Sequence, residues 1–438
     1  MSLKYFGTDG IRGKALEYPL RLEDASRWGA AWAQAARAEG VEQLVVGWDP
    51  RLSSEPLYQA FRQGVGMRLE LLCLGLAPTP AVAWTVARLS AAGPKTWGLM
   101  ISASHNPPED NGLKGFNESG EKLEEEQEAA LETAFEALHE PTTILVEDHP
   151  EPLLPYLEHL GGIDLPASFP VVLDCAHGAT APFAAGLIRG AAGLLGTPAD
   201  GARINTGVGS THLDTLQAAV RSLDAALGIA FDGDGDRCLL VDSTGKLVDG
   251  DQILWLLVQD RLARGERVAG VVGTLMTNAG FEAALATKGV PFVRTPVGDK
   301  FMLRELGKRG WDLAAEASGH VIQKNLGPSG DGLATALAVL RALLALPPSG
   351  RWSWRFQPWP LRLENLVARE RRPLEACPRL SQAEAGLVER HGDEIRVVVR
   401  WSGTEPKLRL MVEARTPDLV DLALAELDAA ARQDLGLV

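Results

Sequence analysis

Three short runs, Leu44-Val45-Val46-Gly47-Trp48-Asp49, Val171-Val172-Leu173-Asp174 and Val271-Val272-Gly273-Thr274, decide the fold. Each is apolar almost throughout, ends in a small or polar residue, and is followed by a stretch with helical spacing. A strand with one wet face alternates apolar and polar side chains, whereas a strand covered on both faces loses that alternation. Buried parallel strands alternating with helices therefore explain the runs better than an all-helical or all-β arrangement, and the class is α/β. The three runs also read as a weak internal repeat, one per domain.

The rest of the chain fits such a protein. Its 438 residues, 46% hydrophobic and 23% charged, have an ordinary globular profile, and at roughly 150 residues per domain the length suggests about three domains. The 43 Lys plus Arg against 57 Asp plus Glu leave a net charge of -14, which repels nucleic acid and anionic membranes. Cys73, Cys175, Cys238 and Cys377 lie far apart with no CxxC pair, so neither a disulfide framework nor a zinc ribbon is expected, in keeping with a reducing cytoplasm. The opening Met1 to Gly7 reaches Asp9 and Arg12 before any apolar stretch long enough for a signal peptide. The longest apolar reach, Ala334 to Leu346, is broken by Arg341 and falls short of the ~20 residues that span a bilayer, so no membrane segment is expected.

Two Pro-rich passages, Glu140 to Pro155 and Pro347 to Pro360, read as linkers, and a third break falls near Asp249-Gly250-Asp251. After Pro360, Glu394 to Arg400 and Lys407 to Ala414 read as paired strands around a tight loop. Thr416-Pro417-Asp418 then opens a helix, with Thr as N-cap, Pro in the first turn, and Leu419, Leu422, Ala423 and Leu427 as the expected buried stripe. This is a small α+β module.

The strongest chemical signal is Ala230-Phe231-Asp232-Gly233-Asp234-Gly235-Asp236-Arg237, where three carboxylates at alternate positions follow a strand and are spaced by glycines. Glycine permits a folded-back loop, so the three side chains can converge. A carboxylate pair at ~4 Å repels by roughly 4 kcal/mol at an effective dielectric of 20, and a hard divalent cation, Mg²⁺ or Mn²⁺, is the natural remedy. An EF-hand starting at Asp232 fails, because Arg237 and Ser243 stand where it needs Gly and Glu. A solvated acidic turn, and a phosphatase that uses Asp232 as a covalent phosphoryl acceptor, remain as alternatives.

Three further stretches bear polar groups. Met100 to Pro108, with Ser102, Ser104, His105 and Asn106, follows an apolar strand and precedes Lys114 by a few residues. Its composition suits a plain loop, but in α/β sheets the loops beyond the strands' carboxyl ends build the ligand crevice. Ser104 has no evident Ser/His/Asp triad. Arg400-Trp401-Ser402-Gly403-Thr404-Glu405-Pro406-Lys407-Leu408-Arg409 offers hydroxyls, a glycine amide and flanking guanidinium groups to an anion such as phosphate, although a plain hairpin would read the same way. Glu316-Ala317-Ser318-Gly319-His320 is a polar cluster after the expected strand Trp311 to Ala315. A divalent ion, a phosphate-accepting serine and a separate anion cradle together suggest phosphoryl transfer on a substrate with two phosphate positions.

With these motifs in order, the chain resembles the α-D-phosphohexomutases over essentially its whole length. The resemblance rests on Ser102 to Pro107, Asp232 to Arg237, Glu316 to His320 and Arg400 to Arg409. It implies four domains around a central cleft: three related α/β units with mixed sheets, at 1-142, 154-246 and 250-346, and a C-terminal α+β domain at 361-438. It also implies that Ser104 is a phosphoserine and a ligand of one Mg²⁺ beside Asp232, Asp234 and Asp236. Lys114 would be the general acid/base, with Arg237 and Arg12 offsetting phosphoryl charge. Glu316, Ser318 and His320 would bind the sugar, and Arg400, Ser402, Gly403, Thr404 and Arg409 the idle phosphate. A hexosamine bisphosphate would be intermediate and activator, the partner a small sugar phosphate, the location cytoplasmic, and a homodimer is among the assemblies implied. The linker before Pro360 would serve as a hinge for closing the cleft against water.

Tyr5 to Gly13, Gly209 to His212 and Val272 to Met276 are similar to the bacterial branch acting on glucosamine phosphates, and family members acting on mannose or glucose phosphates are the alternative. Ala314-Ala315 before the sugar loop, Lys300 after Val297-Gly298-Asp299, and Gly115 after Lys114 depart from that branch and bear on sugar preference.

Overall fold

Each of the three runs is an interior strand of its own sheet in the computed structural model, which describes residues 3–138, 149–163, 165, 169–347, 351–368, 371–401 and 406–436. The first sheet holds β1 (Phe6–Gly7), β2 (Gly10–Lys14), β3 (Gln43–Trp48), β4 (Glu70–Leu76), β5 (Thr96–Ile101), β6 (Asp110–Phe116) and β7 (His149–Pro150), in the order β1-β2-β6-β5-β3-β4-β7. The second has β8 (Val171–Asp174), β9 (Ala191–Leu195), β10 (Leu227–Phe231), β11 (Cys238–Asp242) and β12 (Leu247–Val248), ordered β12-β11-β10-β8-β9. The third has β13 (Val271–Thr274), β14 (Phe292–Thr295), β15 (Leu313–Ala315) and β16 (Val321–Gln323), ordered β14-β13-β15-β16.

The sheets repeat one another. In each, the quoted run pairs in parallel with the next two strands, and the second of those pairs antiparallel with the strand that follows it. The internal repeat is thus a repeat of topology, carried by β3, β8 and β13. Leu44, Val45, Val46, Val171, Val172, Leu173, Val271 and Val272 are all buried, which is why the runs lack polar alternation.

The chain forms two compact bodies. The first comprises Met1–Thr274 and Pro291–Arg355 and holds the three mixed sheets. Its first sheet packs under the helices Leu22–Ala38 and Glu125–Ala137, where Trp28 and Phe135 stack at 3.8 Å between ring centroids.

The second body comprises Leu275–Val290 and Phe356–Val438. Its antiparallel sheet, β17 (Leu361–Val367), β18 (Ile395–Trp401) and β19 (Lys407–Ala414), has the order β17-β19-β18. The segment 275–290 packs here: Asn278 Oδ1 accepts from Trp359 N at 2.9 Å, and Ala279 N donates to Glu413 Oε1 at 2.7 Å.

Two local expectations need correction. The final helix starts at Pro417 with Thr416 Oγ1 as its cap, but its buried face is Val420, Ala423, Leu424, Leu427 and Ala431, while Leu422 is exposed. The apolar residues at 419, 420, 422 and 424 fit two adjacent stripes, and packing on β19 selects the one that contains Val420. The strand expected from Trp311 begins only at Leu313, because Trp311 N still bonds back to Leu306 O at the end of the preceding helix. Among the described residues no disulfide joins any of the four cysteines, and no helix is long and apolar enough to cross a membrane.

Candidate active site

The repeated topology repeats a loop. In each mixed sheet the chain leaves the carboxyl end of a parallel strand, reverses, and returns antiparallel. The reversal from β5 to β6 carries Ser104, that from β10 to β11 carries Asp232 to Arg237, and that from β15 to β16 carries Glu316 to His320. Beyond the carboxyl ends of parallel strands is where open α/β sheets build their crevices. The three loops meet: Ser104 Oγ donates to Asp232 Oδ2 at 2.6 Å, and Cys238 N, just after the aspartate loop, donates to Gly319 O at 2.9 Å.

In the aspartate loop, one ligand oxygen from each of Asp232, Asp234 and Asp236 lies within 4.8 Å of the others, and all three residues are buried. Asp234 Oδ1 and Asp236 Oδ1 are buried without a hydrogen-bond partner, which is costly for a carboxylate unless a cation satisfies it. An all-oxygen set with orphaned anionic atoms fits a hard divalent ion. Burial, together with Asp236 and Asp234, pushes the Asp232 carboxyl well above the usual carboxylate range. Burial acts the same way on Asp236, but Lys114, His320 and Arg237 outweigh it and hold that group below the range. Gly233 lets the loops approach, since a Cβ there would stand 2.6 Å from Ser104 O and 2.8 Å from Asn205 Nδ2. Thr79, at the start of the helix Thr79–Ala92, supports Asp234 twice, through Oγ1 to Oδ2 at 2.5 Å and through N to O at 2.8 Å.

Ser104 is buried and adopts φ +53°, a left-handed conformation that costs a non-glycine residue energy. Ser104 N donates to Ser102 Oγ at 2.8 Å, and Ser102 Oγ donates to Asp49 Oδ2 at 2.6 Å. His105 Nδ1 stands 3.3 Å from Ser104 Oγ. Burial, then Arg237 and Arg12, lower His105 to about 4, so its ring is neutral near pH 7.

Lys114 on β6 is buried, with Nζ 2.7 Å from Asp234, 3.2 Å from Asp9 and 3.7 Å from Asp236. Burial opposes its charge, but these carboxylates prevail and raise it above the ordinary lysine value. Arg12 Nη1 donates to Asn106 Oδ1 at 3.1 Å and Nη2 bonds Asp9, which also pairs with Lys122. Arg237 N donates to Asp232 Oδ1 at 3.2 Å.

In the third loop, Glu316 Oε1 accepts from Gly298 N at 2.9 Å and Ser318 Oγ donates to Glu316 Oε2 at 3.3 Å. His320 sits 3.7 Å from both Asp236 and Asp299. Burial alone would lower it, but Asp236, then Asp299 and Glu316, raise it to about 9. Arg12, His105, Asp236, Arg237, Glu316 and His320 all face one cavity of about 370 Å³.

Of the sequence candidates, Ser104, Lys114, Asp232, Asp234, Asp236, Arg237, Arg12, Glu316, Ser318 and His320 come together in the first body. Arg400 and Arg409 are in the second, directly opposite each other on β18 and β19. Two cations in that register repel unless an anion joins them, and burial together with Arg409 lowers Arg400. Ser402, Gly403 and Thr404 lie outside the described residues. The departures turn inward rather than toward the cavity. Lys300 Nζ bonds Glu128 at 2.9 Å, Ala314 and Ala315 are buried strand residues, and a Cβ at Gly115 would meet Leu123 at 2.4 Å.

Sequence reading did not single out Asp49, Arg51, Thr79, Lys122, Asn205 or Asp299. For Asp49 and Arg51 a signal existed, because they stand at the carboxyl end of β3, another edge of the same crevice.

Most of the chain matches one family, in four successive pieces. They are Phosphoglucomutase/phosphomannomutase alpha/beta/alpha domain I over residues 3–142, domain II over 155–245, domain III over 249–349, and the C-terminal domain over 363–430. A phosphoglucosamine mutase of Pseudomonas putida (strain W619) is 40% identical over 432 residues, covering 94% of this chain and 95% of the relative. One from Aeromonas hydrophila is 38% identical over 426 residues, with the same coverage. A phosphoglucomutase/phosphomannomutase family protein from Burkholderia thailandensis shares the fold, with TM-score 0.81 at 23% identity over 99% of this chain and 98% of that one. So does Aspergillus fumigatus N-acetylphosphoglucosamine mutase, solved with GlcNAc-6P and magnesium, at TM-score 0.65 and 18% identity over 99% and 96% of the two chains.

Proposed function

The chain belongs to the phosphoglucomutase/phosphomannomutase family, the α-D-phosphohexomutases, and from that membership we propose that it interconverts glucosamine 6-phosphate and glucosamine 1-phosphate. The family's reaction is an intramolecular phosphotransfer. The observation that carries the reading is the 2.6 Å approach of Ser104 Oγ to Asp232 Oδ2 beside two further buried carboxylates. A serine whose hydroxyl donates to a carboxylate of a metal-type cluster suits an oxygen that carries a phosphoryl group.

Asp232, Asp234, Asp236 and the Ser104 oxygen would hold one Mg²⁺, which when bound offsets charge on the transferring group. The phosphoryl group on Ser104 passes to the free hydroxyl of the sugar monophosphate: the bond from Oγ to phosphorus breaks and the bond to the sugar oxygen forms. Lys114 would act as general acid/base on that hydroxyl, or lower its pKa electrostatically, and the hydroxyl proton ends on Ser104 Oγ, so the transfer balances and nothing is hydrolysed. The bisphosphate then turns end for end and returns its other phosphoryl group to Ser104. Arg12 and Arg237 face the moving charge, Glu316, Ser318 and His320 take sugar hydroxyls, and Arg400, Ser402, Gly403, Thr404 and Arg409 take the idle phosphate. The domain boundaries 1-142, 154-246, 250-346 and 361-438 belong to the same reading.

A coupled assay with glucosamine, glucose and mannose 6-phosphates tests the substrate, with glucosamine 6-phosphate expected to show the highest kcat/KM. Phosphopeptide mass spectrometry should find phosphate on Ser104, and Ser104→Ala should abolish turnover. Release of inorganic phosphate by an active Ser104→Ala variant would instead establish an Asp232 phosphatase.

A further inference from the structure

Ser104 is held in a strained conformation, and hydrogen bonds within its own loop, such as Ser104 N to Ser102 Oγ and Asn106 N to Ala103 O, leave the carbonyls of residues 104, 106 and 110 to be held from outside it. The restraint comes from Arg51, which lies 53 residues earlier in the chain and whose side chain is fully buried. A guanidinium carries five N–H donors in a rigid planar fork, and all five are used here. Nε donates to Asp49 Oδ2 at 2.9 Å. Nη1 donates to Pro107 O and, at 2.8 Å, to Asp110 O. Nη2 donates to Ser104 O and Asn106 O, each at 2.9 Å.

The four carbonyls thus belong to one loop, residues 104 to 110, and turn toward one cation. Two of them have a second donor: Asn205 Nδ2, from the second α/β unit, reaches Ser104 O at 2.8 Å and Asn106 O at 2.9 Å. Carbonyls 104 and 106 therefore converge on the same pair of donors. Such convergence of like dipoles, with Ser104 at φ +53°, persists only when the surroundings over-determine it. On the other side of Ser104, Asp49 accepts Ser102 Oγ, which in turn accepts Ser104 N. Both flanks of the serine are therefore referred to the Asp49–Arg51 pair.

We infer that Arg51 is a positioning residue for phosphoryl transfer. It fixes the backbone of the serine loop so that Ser104 Oγ stays on the aspartate cluster through both half-reactions, and Asn205 completes the clamp. This rests on Ser104 being the phosphoryl carrier. Arg51 touches neither the reacting oxygen nor the sugar cavity, so its effect belongs to kcat and not to substrate binding.

The test uses the full-length enzyme. Arg51→Lys keeps the charge beside Asp49 but has three donors and no fork. It should lower kcat ~10²-fold, the scale of an ångström misplacement, with KM within about threefold of the parent. In Arg51→Ala, added guanidinium chloride at tens of millimolar should restore turnover at least tenfold, where ammonium chloride should not. A purely structural role would change the folded fraction and leave kcat per folded molecule intact, and guanidinium, a denaturant, would not rescue it. Asn205→Gly, which permits the same backbone at φ +60° while removing both donors, should lower kcat roughly tenfold at unchanged KM. It decides the matter if the Arg51 variants do not fold. Phosphate on Ser104 in the wild-type enzyme, together with parental kcat in Arg51→Lys or in Asn205→Gly, would overturn the positioning role while leaving the mutase reading intact. A wild-type enzyme that turns over with no phosphate ever found on Ser104 would overturn both.

Discussion

The serine loop and the aspartate loop occupy equivalent places in their sheets, yet hold their shapes by different means. The aspartate loop carries much of its geometry within itself, in Gly233 and in Gly235 at φ +74°, and its anions need a cation more than they need a scaffold. The serine loop has no glycine between Ser102 and Asp110, puts a non-glycine residue at φ +53°, and relies on Arg51 and Asn205 from 53 and 101 residues away. One loop takes its turn from its own glycines, with Thr79 as an outside support of Asp234, and the other is held in a strained conformation by the tertiary fold. The lesson is that equal topology does not imply equal means of preorganisation, and that the same two loops should respond differently to mutation.

Asp232→Asn should have the largest effect, because Asp232 is where the two loops meet. It removes one anion from the cluster and the charged acceptor of Ser104 Oγ together, and kcat should fall ~10³-fold, the upper range for losing one preorganised charged group. Treatment with a chelator should abolish activity of the parent enzyme, and added Mg²⁺ should restore it. Activity that survives chelation would separate the loops chemically and sink the shared site. Next in size is Gly233→Ala. The added methyl would stand 2.6 Å from Ser104 O, so one loop must recede from the other, and kcat should drop roughly 10²-fold with KM little changed. Parental kcat in that variant would show that the approach is not needed.

The sequence showed far more of the aspartate loop than of the serine loop, and the comparison says why. Asp232, Asp234 and Asp236 announce themselves, because alternating anions and glycines after a strand have few other uses. The repeated sheets were legible for a similar reason: β3, β8 and β13 are buried on both faces and therefore continuously apolar. Ser104 was found as a residue, but nothing near it in the chain told of its backbone conformation or of the buried guanidinium behind it. Asn205 lies in an ordinary-looking loop, and its role exists only once the first two sheets are side by side. The stripe of the last helix failed for the opposite reason, since Leu419 and Leu422 offered a second, equally apolar face and only packing on β19 chose between them.

Besides Thr79, the aspartate loop has a further distant support, and this one is sensitive to pH. Gly332 N, in the first turn of the helix Gly332–Ala345, donates to Gly235 O at 3.0 Å, and Asp331 caps that helix by accepting from Ala334 N at 2.9 Å and from Tyr156 Oη at 2.9 Å. Burial raises the Asp331 carboxyl to about 6 despite these hydrogen bonds. A folded-state pKa above the unfolded value means that the native state holds the proton more tightly. The stability this gives is complete below about pH 4 and is lost as pH rises through about 6. Asp331→Asn keeps a capping oxygen and carries no charge. Its stability relative to the parent should therefore grow between pH 4 and pH 7 and level off, by at most about 3 kcal/mol for a shift of roughly two units. Denaturation of both proteins across that range checks it, and a difference independent of pH would place the Asp331 carboxyl in the ordinary range.

The smallest effect isolates the strain itself. Ser104→Ala and Ser104→Gly both lack the hydroxyl, and both should be inactive, so activity cannot tell them apart. Their backbones differ, because alanine at φ +53° suffers the same clash between Cβ and carbonyl as serine, while glycine does not. Gly should therefore be the more stable of the two by about 1 kcal/mol, even though glycine loses more chain entropy on folding. If the left-handed conformation is imposed by Arg51, the advantage of Gly over Ala should shrink when Arg51→Lys is added, since a loosened loop lets alanine escape the strained region. Thermal melts of the four proteins measure this coupling as a double-mutant cycle. An advantage that is unchanged by Arg51→Lys would mean that the loop's strain is set locally, and the contrast between the two loops would disappear.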